Sequence, residues 1–129
     1  DTITLSPELN DTDLTNILSF DQDTISMPKK ELIVYGQIPL MNSNYCLLGK
    51  TNKCYPSCTH QCNSSNKFYL KDRLGFLFRV IPDNVETVTT IYNNKITSIP
   101  YKNINVDSVR FDVLDETIEE INLIINKLS

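Results

Sequence analysis

Glu31-Leu32-Ile33-Val34-Tyr35-Gly36 is the stretch that decides how this chain folds. It is a nearly continuous apolar run, the pattern of a strand covered on both faces, and the glycine at its end is read as the stop. Upstream, Thr2-Ile3-Thr4-Leu5 alternates polar and apolar and runs into Ser6-Pro7, a short strand followed by a helix-start signal. Asn10 or Asp11 can cap that helix, because each has an oxygen to accept the free N–H groups of a first turn. Leu14, Ile17 and Leu18 share one helical face. Residues 19–30 read as a loop with weak apolar anchors at Ile25 and Met27. Strand, helix and strand in this order form a βαβ unit, which requires parallel pairing.

Downstream the texture changes. Phe68–Leu70, Phe76–Ile81, Thr89–Tyr92 and Ile96–Ile99 are short β-type runs separated by polar turns such as Asn93-Asn94, the pattern of an antiparallel meander. Val109–Leu114 is a further strand. A strong helix follows, with Asp115 expected as its cap and Ile118, Ile121, Ile125 and Leu128 as its apolar stripe, Ile124 beside them. Glu116, Glu119 and Glu120 stand in its early turns, where negative charge meets the positive end of the helix dipole. The expected class is α/β: two βα units flanking an inserted antiparallel β part. Two such units cannot close a barrel of eight, so their strands would show unpaired edges unless other parts of the protein cover them.

The chain has 129 residues, 22% of them charged, with a net charge of −4 and neither Trp nor Ala. Lys29-Lys30 is the nearest approach to a basic run, so this segment by itself lacks the basic face of a nucleic-acid binder. No apolar stretch approaches the ~18 residues that cross a bilayer, and no membrane partner is expected. Asp1-Thr2-Ile3-Thr4 carries no signal-peptide pattern, which points to the cytoplasm, and the absence of Met reads as a fragment of a longer protein. A mature chain whose signal has been removed is the alternative.

Chemistry concentrates in one loop. Cys46, Cys54, Cys58 and Cys62 follow a C-x7-C-x3-C-x3-C spacing, and the loop also holds His60, the only histidine. Disulfides would need an oxidising compartment and would close only small rings, which stabilise little. Zinc takes four thiolates, usually from two short C-x2–4-C hairpins with a longer spacer, and no second hairpin of that kind is present. A cubane iron–sulfur cluster tolerates irregular spacing and is favoured, with zinc as the alternative. The metal ligands expected are therefore Cys46, Cys54, Cys58 and Cys62. Four unrelated thiols are the bland reading. His60 could replace one thiolate or stand behind the ligands.

Other chemistry is thin. Asp72-Arg73 are neighbours on a strand and point to opposite faces, so a structural salt link is expected rather than a joint action on one atom. Arg110 and Asp112 lie two apart and share a face, either lining a site or forming an ion pair. Ser6 and Ser43 have no evident base. No H-E-x-x-H helix and no phosphate-cradling glycine loop occur. The catalytic residues are unknown.

An ordered set of segments resembles the later part of the collagenase-like peptidase family U-32. It comprises Ser6-Pro7-Glu8-Leu9-Asn10, Glu31 to Gly36, Pro39-Leu40-Met41 leading to Tyr45-Cys46, Tyr69 to Arg73, Thr90-Ile91-Tyr92-Asn93, Val109 to Asp112 and Glu116-Thr117. The resemblance implies a parent that begins with a β/α barrel, this chain being a fragment from its end. Residues 1–36 would be the last βα units, 37–106 the cysteine loop and β-meander insertion, and 107–129 the terminal strand and helix. It implies a peptidase (hydrolase), or a relative that hydroxylates RNA bases or a quinone precursor and carries an iron–sulfur cluster on four cysteines. The substrate would be RNA or peptide, met through the parent, and the partner would be the missing N-terminal barrel. The fragment alone would be inactive. A zinc-stabilised structural or substrate-docking module without catalysis is the alternative function. In one respect the chain departs from the family: many members have a further cysteine near position 87, where this sequence has Thr87 and Val88.

Overall fold

The computed structural model describes residues 1–19, 28–51, 57–60, 62, 66–83, 85–86 and 88–129. Among the described residues the chain is mixed α/β, with a six-stranded sheet and three helices. In chain order these are β1 (Thr2–Leu5), α1 (Asp11–Ser19), β2 (Lys29–Ser43), α2 (Leu47–Thr51), β3 (Phe68–Lys71), β4 (Leu77–Asp83), β5 (Val88–Ser98), β6 (Ser108–Asp112) and α3 (Ile118–Leu128). The sheet order is β1-β2-β5-β4-β3, with β6 paired to β2. Two compact units result, Asp1–Gly36 with Ile96–Ser129, and Gln37–Lys95.

In the first unit, β1 pairs with β2 in parallel, Leu5 opposite Leu32. The expected βαβ unit is therefore present. Asn10 is the cap that starts α1: its Oδ1 accepts from the backbone N–H of Asp13 at 2.9 Å. At the other end of α1, Lys30 Nζ donates to the carbonyl of Ile17 at 2.9 Å, covering an orphan acceptor with a cation that suits the helix dipole. β6 also lies parallel to β2, Leu32 opposite Val109, with an irregularity between Ile33 and Tyr35. Leu5, Leu32 and Val34 form the buried centre, and Leu14, Ile17, Leu18, Ile104, Val109 and Phe111 are among the side chains that pack on it. Alternation explains the set: Leu32 and Val34 point to the same face of β2, and the helical stripe of α1 covers it.

Gly36 does not end its strand. β2 continues to Ser43, and Gly36 sits at φ +138°. A Cβ there would collide with the carbonyl oxygen of Asp112 and stand 2.8 Å from its Cβ. The glycine allows close approach to β6, a role that a bare apolar pattern does not distinguish from a stop.

The last helix also starts differently from expectation. Thr117, not Asp115, is the cap, and it forms a reciprocal capping box with Glu120. Thr117 Oγ1 accepts from Glu120 N at 3.3 Å, and Glu120 Oε2 accepts from Thr117 N at 2.8 Å. The buried stripe shifts accordingly. Leu128 is buried and Ile121 and Ile124 are half-buried, while Ile118 and Ile125 are exposed.

In the second unit, β3, β4 and β5 form the expected antiparallel meander. Val80 on β4 stands opposite Ile91 on β5, and both are buried. Asn93-Asn94 is not a turn, because β5 runs through it to Ser98. β5 lies beside β2 in the sheet, and Gln37 Nε2 donates to Asn93 O at 2.9 Å, so the polar pair sits within a paired strand. The anchors Ile25 and Met27 lie outside the described residues.

Candidate metal centre

Cys46 stands where β2 hands over to α2. Ser43 Oγ accepts from Tyr45 N at 3.1 Å and turns the chain, and Gly49 N donates to Cys46 O at 3.0 Å, opening the helix. The Cys46 sulfur lies beside Gly49, 3.7 Å from where a Cβ on that glycine would stand. Its thiol is exposed and reduced, as is that of Cys58. Cys62 is half-buried. His60 is exposed and adopts the left-handed conformation at φ +52°, unusual for a residue with a Cβ. Cys54 lies outside the described residues, as does Thr87.

The donor chemistry suits a soft metal: two accessible thiols and a third near them in sequence are the ligand type taken by zinc and by iron–sulfur clusters. Among the described residues, no three His, Cys, Asp or Glu side chains gather closely enough to hold one ion. Cys46, Cys58, Cys62 and His60 are therefore not brought together as a ligand set among the described residues.

The remaining charged candidates settle into structural roles. Asp72 holds its turn: its Oδ1 accepts from Leu74 N and from Phe76 N, each at 2.8 Å, and among the described residues it makes no strand-to-strand salt link. Arg110 and Asp112 form a two-pronged ion pair, Nε to Oδ1 at 2.9 Å and Nη2 to Oδ2 at 3.2 Å. Arg110 Nη1 also reaches Glu31 Oε1 at 3.5 Å, and Thr4 Oγ1 donates to the same oxygen at 2.7 Å. This polar row crosses β1, β2 and β6 on the face opposite Leu5 and Leu32.

One polar pair escaped the sequence reading. The Tyr35 hydroxyl donates to Glu116 Oε1 at 2.9 Å, and Glu116 Oε2 accepts from Leu114 N at 2.8 Å and Asp115 N at 3.1 Å. Burial, then the hydrogen bond and charge of Glu116, push the Tyr35 hydroxyl up to about 12. For Glu116, burial works upward, but the Leu114 N–H, the Tyr35 hydroxyl and further backbone bonds outweigh it and hold the carboxyl below its ordinary range. No local signal joins residues 81 positions apart.

Fold and loop together define a mixed α/β protein with a parallel βαβ unit and a thiol-rich segment ahead of an antiparallel meander. No family model, characterised protein or solved structure matches the chain.

Proposed function

We propose that this chain is the closing part of a cytoplasmic β/α-barrel enzyme of the collagenase-like U-32 kind, its cysteine loop holding an iron–sulfur cluster or a zinc ion. What carries the reading is the order of the parallel strands. β1, β2 and β6 are consecutive parallel neighbours, with the cysteine-bearing segment looped out between β2 and β6. Winding in one direction is the order that a barrel keeps around its whole ring. Cys46, Cys54, Cys58 and Cys62 would be the metal ligands, their convergence coupled to metal binding. The substrate, RNA or peptide, would be met by the rest of the barrel.

The test is elemental. Protein purified without oxygen should carry iron and acid-labile sulfide with the broad visible absorption of a cluster, and Cys46→Ser should lose both. Zinc in place of iron would assign the loop as a structural or docking module. Protein with neither metal overturns the metal reading.

A further inference from the structure

The hairpin of β3 and β4 has a tip of unusual composition. Its turn is Asp72-Arg73-Leu74-Gly75-Phe76, where turns ordinarily collect polar residues. Leu74 is 73% exposed and Phe76 51%. The backbone beneath them is locked. Asp72 Oδ1 accepts from Leu74 N and Phe76 N, Asp72 N donates to Phe76 O at 3.0 Å, and Gly75 at φ +91° completes the turn. The turn thus holds two large apolar side chains out into water, and folding gains nothing from their exposure.

The strands continue the pattern. Tyr69 stands opposite Arg79 and Lys71 opposite Leu77, so these four share one face of the hairpin. Tyr69 and Leu77 are each about half exposed, and the Arg79 guanidinium lies 5.5 Å above the Tyr69 ring. Lys71 and Arg73 flank Asp72, whose carboxylate is occupied by the turn. A chain of net charge −4 therefore carries a local cationic, apolar protrusion.

We propose that this hairpin docks on an anionic lipid surface, Leu74 and Phe76 entering the interface while Lys71 and Arg73 meet the headgroups. Charge complementarity selects the anionic partner. Among anionic partners, the tip selects lipid: Leu74, its most exposed side chain, and Phe76 stand in one turn with Lys71 and Arg73, the apolar and cationic pairing that an acyl boundary and its headgroups accept. The inference is independent of the metal reading, and it requires no membrane-crossing segment.

Co-sedimentation with vesicles of phosphatidylcholine, with and without phosphatidylserine, tests it. Binding should need phosphatidylserine and weaken as salt rises. Lys71→Gln and Arg73→Gln should each weaken it about fivefold. Leu74→Ser combined with Phe76→Ser should weaken it about tenfold or more, with an unchanged far-UV circular dichroism spectrum. The chain has no Trp, so Leu74→Trp supplies a direct reporter whose emission should shift to the blue on phosphatidylserine vesicles. A Trp in place of exposed Leu123 on α3 should not shift. Absence of binding to phosphatidylserine vesicles overturns the proposal. So does binding indifferent to Leu74 and Phe76, or capture of single-stranded RNA through these residues while vesicles are ignored.

Discussion

The hydroxyl of Tyr35 donates to the carboxylate of Glu116 across 2.9 Å, joining the centre of β2 to the segment that leads into α3. Tyr35 is 7% exposed, and its ring lies near Phe111, 6.3 Å between centroids, which in turn meets Tyr101 edge-on at 6.0 Å. Tyr35→Phe keeps the packing and removes only the donor, so it should cost about 1–2 kcal/mol in urea unfolding. The pH dependence has two arms. Glu116 is held below its ordinary 4.5, so its contribution is whole above that value and lost as acid protonates the folded carboxylate. Tyr35 is raised, so its contribution is whole below its ordinary 10 and lost as pH climbs toward about 12. Tyr35→Phe should flatten the alkaline arm; an alkaline arm of the same size in the variant would refute this assignment.

Gly36 and Gly49 should respond oppositely to alanine. At Gly36 the added Cβ meets the Asp112 backbone in a left-handed conformation, and Gly36→Ala should cost about 2 kcal/mol or more. At Gly49 the nearest atoms stand at 3.7 Å, ordinary contact, and helix propensity favours alanine by up to about 1 kcal/mol. Thermal unfolding of the two variants separates them.

Thr117→Ala removes one half of the capping box, and the expected loss is about 1 kcal/mol. Thr117→Ser should restore most of it. A loss of urea midpoint that serine fails to recover would show that the methyl group, not the hydroxyl, matters at this position.

Arg110 and Asp112 make a well-aligned pair, yet their side chains are 44% and 41% exposed. Water and salt screen such a pair, so Asp112→Ala should cost no more than about 1 kcal/mol and less at high salt. A much larger loss would mean that the polar row does more than bridge β2 and β6.

Metal uptake, if the cysteine loop is its site, must displace thiol protons. Metal content should therefore fall on acidification and in Cys58→Ser. Equal metal in Cys58→Ser and the unaltered chain would remove Cys58 from the ligand set.

Much of the fold was legible because it rests on local periodicity. The apolar run from Leu32 to Tyr35 marks a covered strand, Leu5 ends the first strand buried, the spacing of Leu14, Ile17 and Leu18 turns one face of α1 to the core, and Asn10 marks a helix start by its own chemistry. The misread points are those where a neighbour distant in sequence decides. Gly36 looked like a stop because its reason is Asp112, and Asn93-Asn94 looked like a turn because Gln37 and the rest of β2 are out of view. The cationic and apolar side chains of the hairpin share a face only once β3 and β4 pair.

By itself, then, the sequence determined the parallel βαβ unit, the antiparallel meander and the terminal helix, since hydrophobic period and capping chemistry act within a few residues. Only the tertiary structure decided that β2 passes through Gly36, that Thr117 rather than Asp115 starts α3, and that Tyr35 meets Glu116. The strand extension and the Tyr35–Glu116 contact depend on which remote backbone comes close. The cap depends on which of two nearby oxygens reaches a free N–H once the chain has turned.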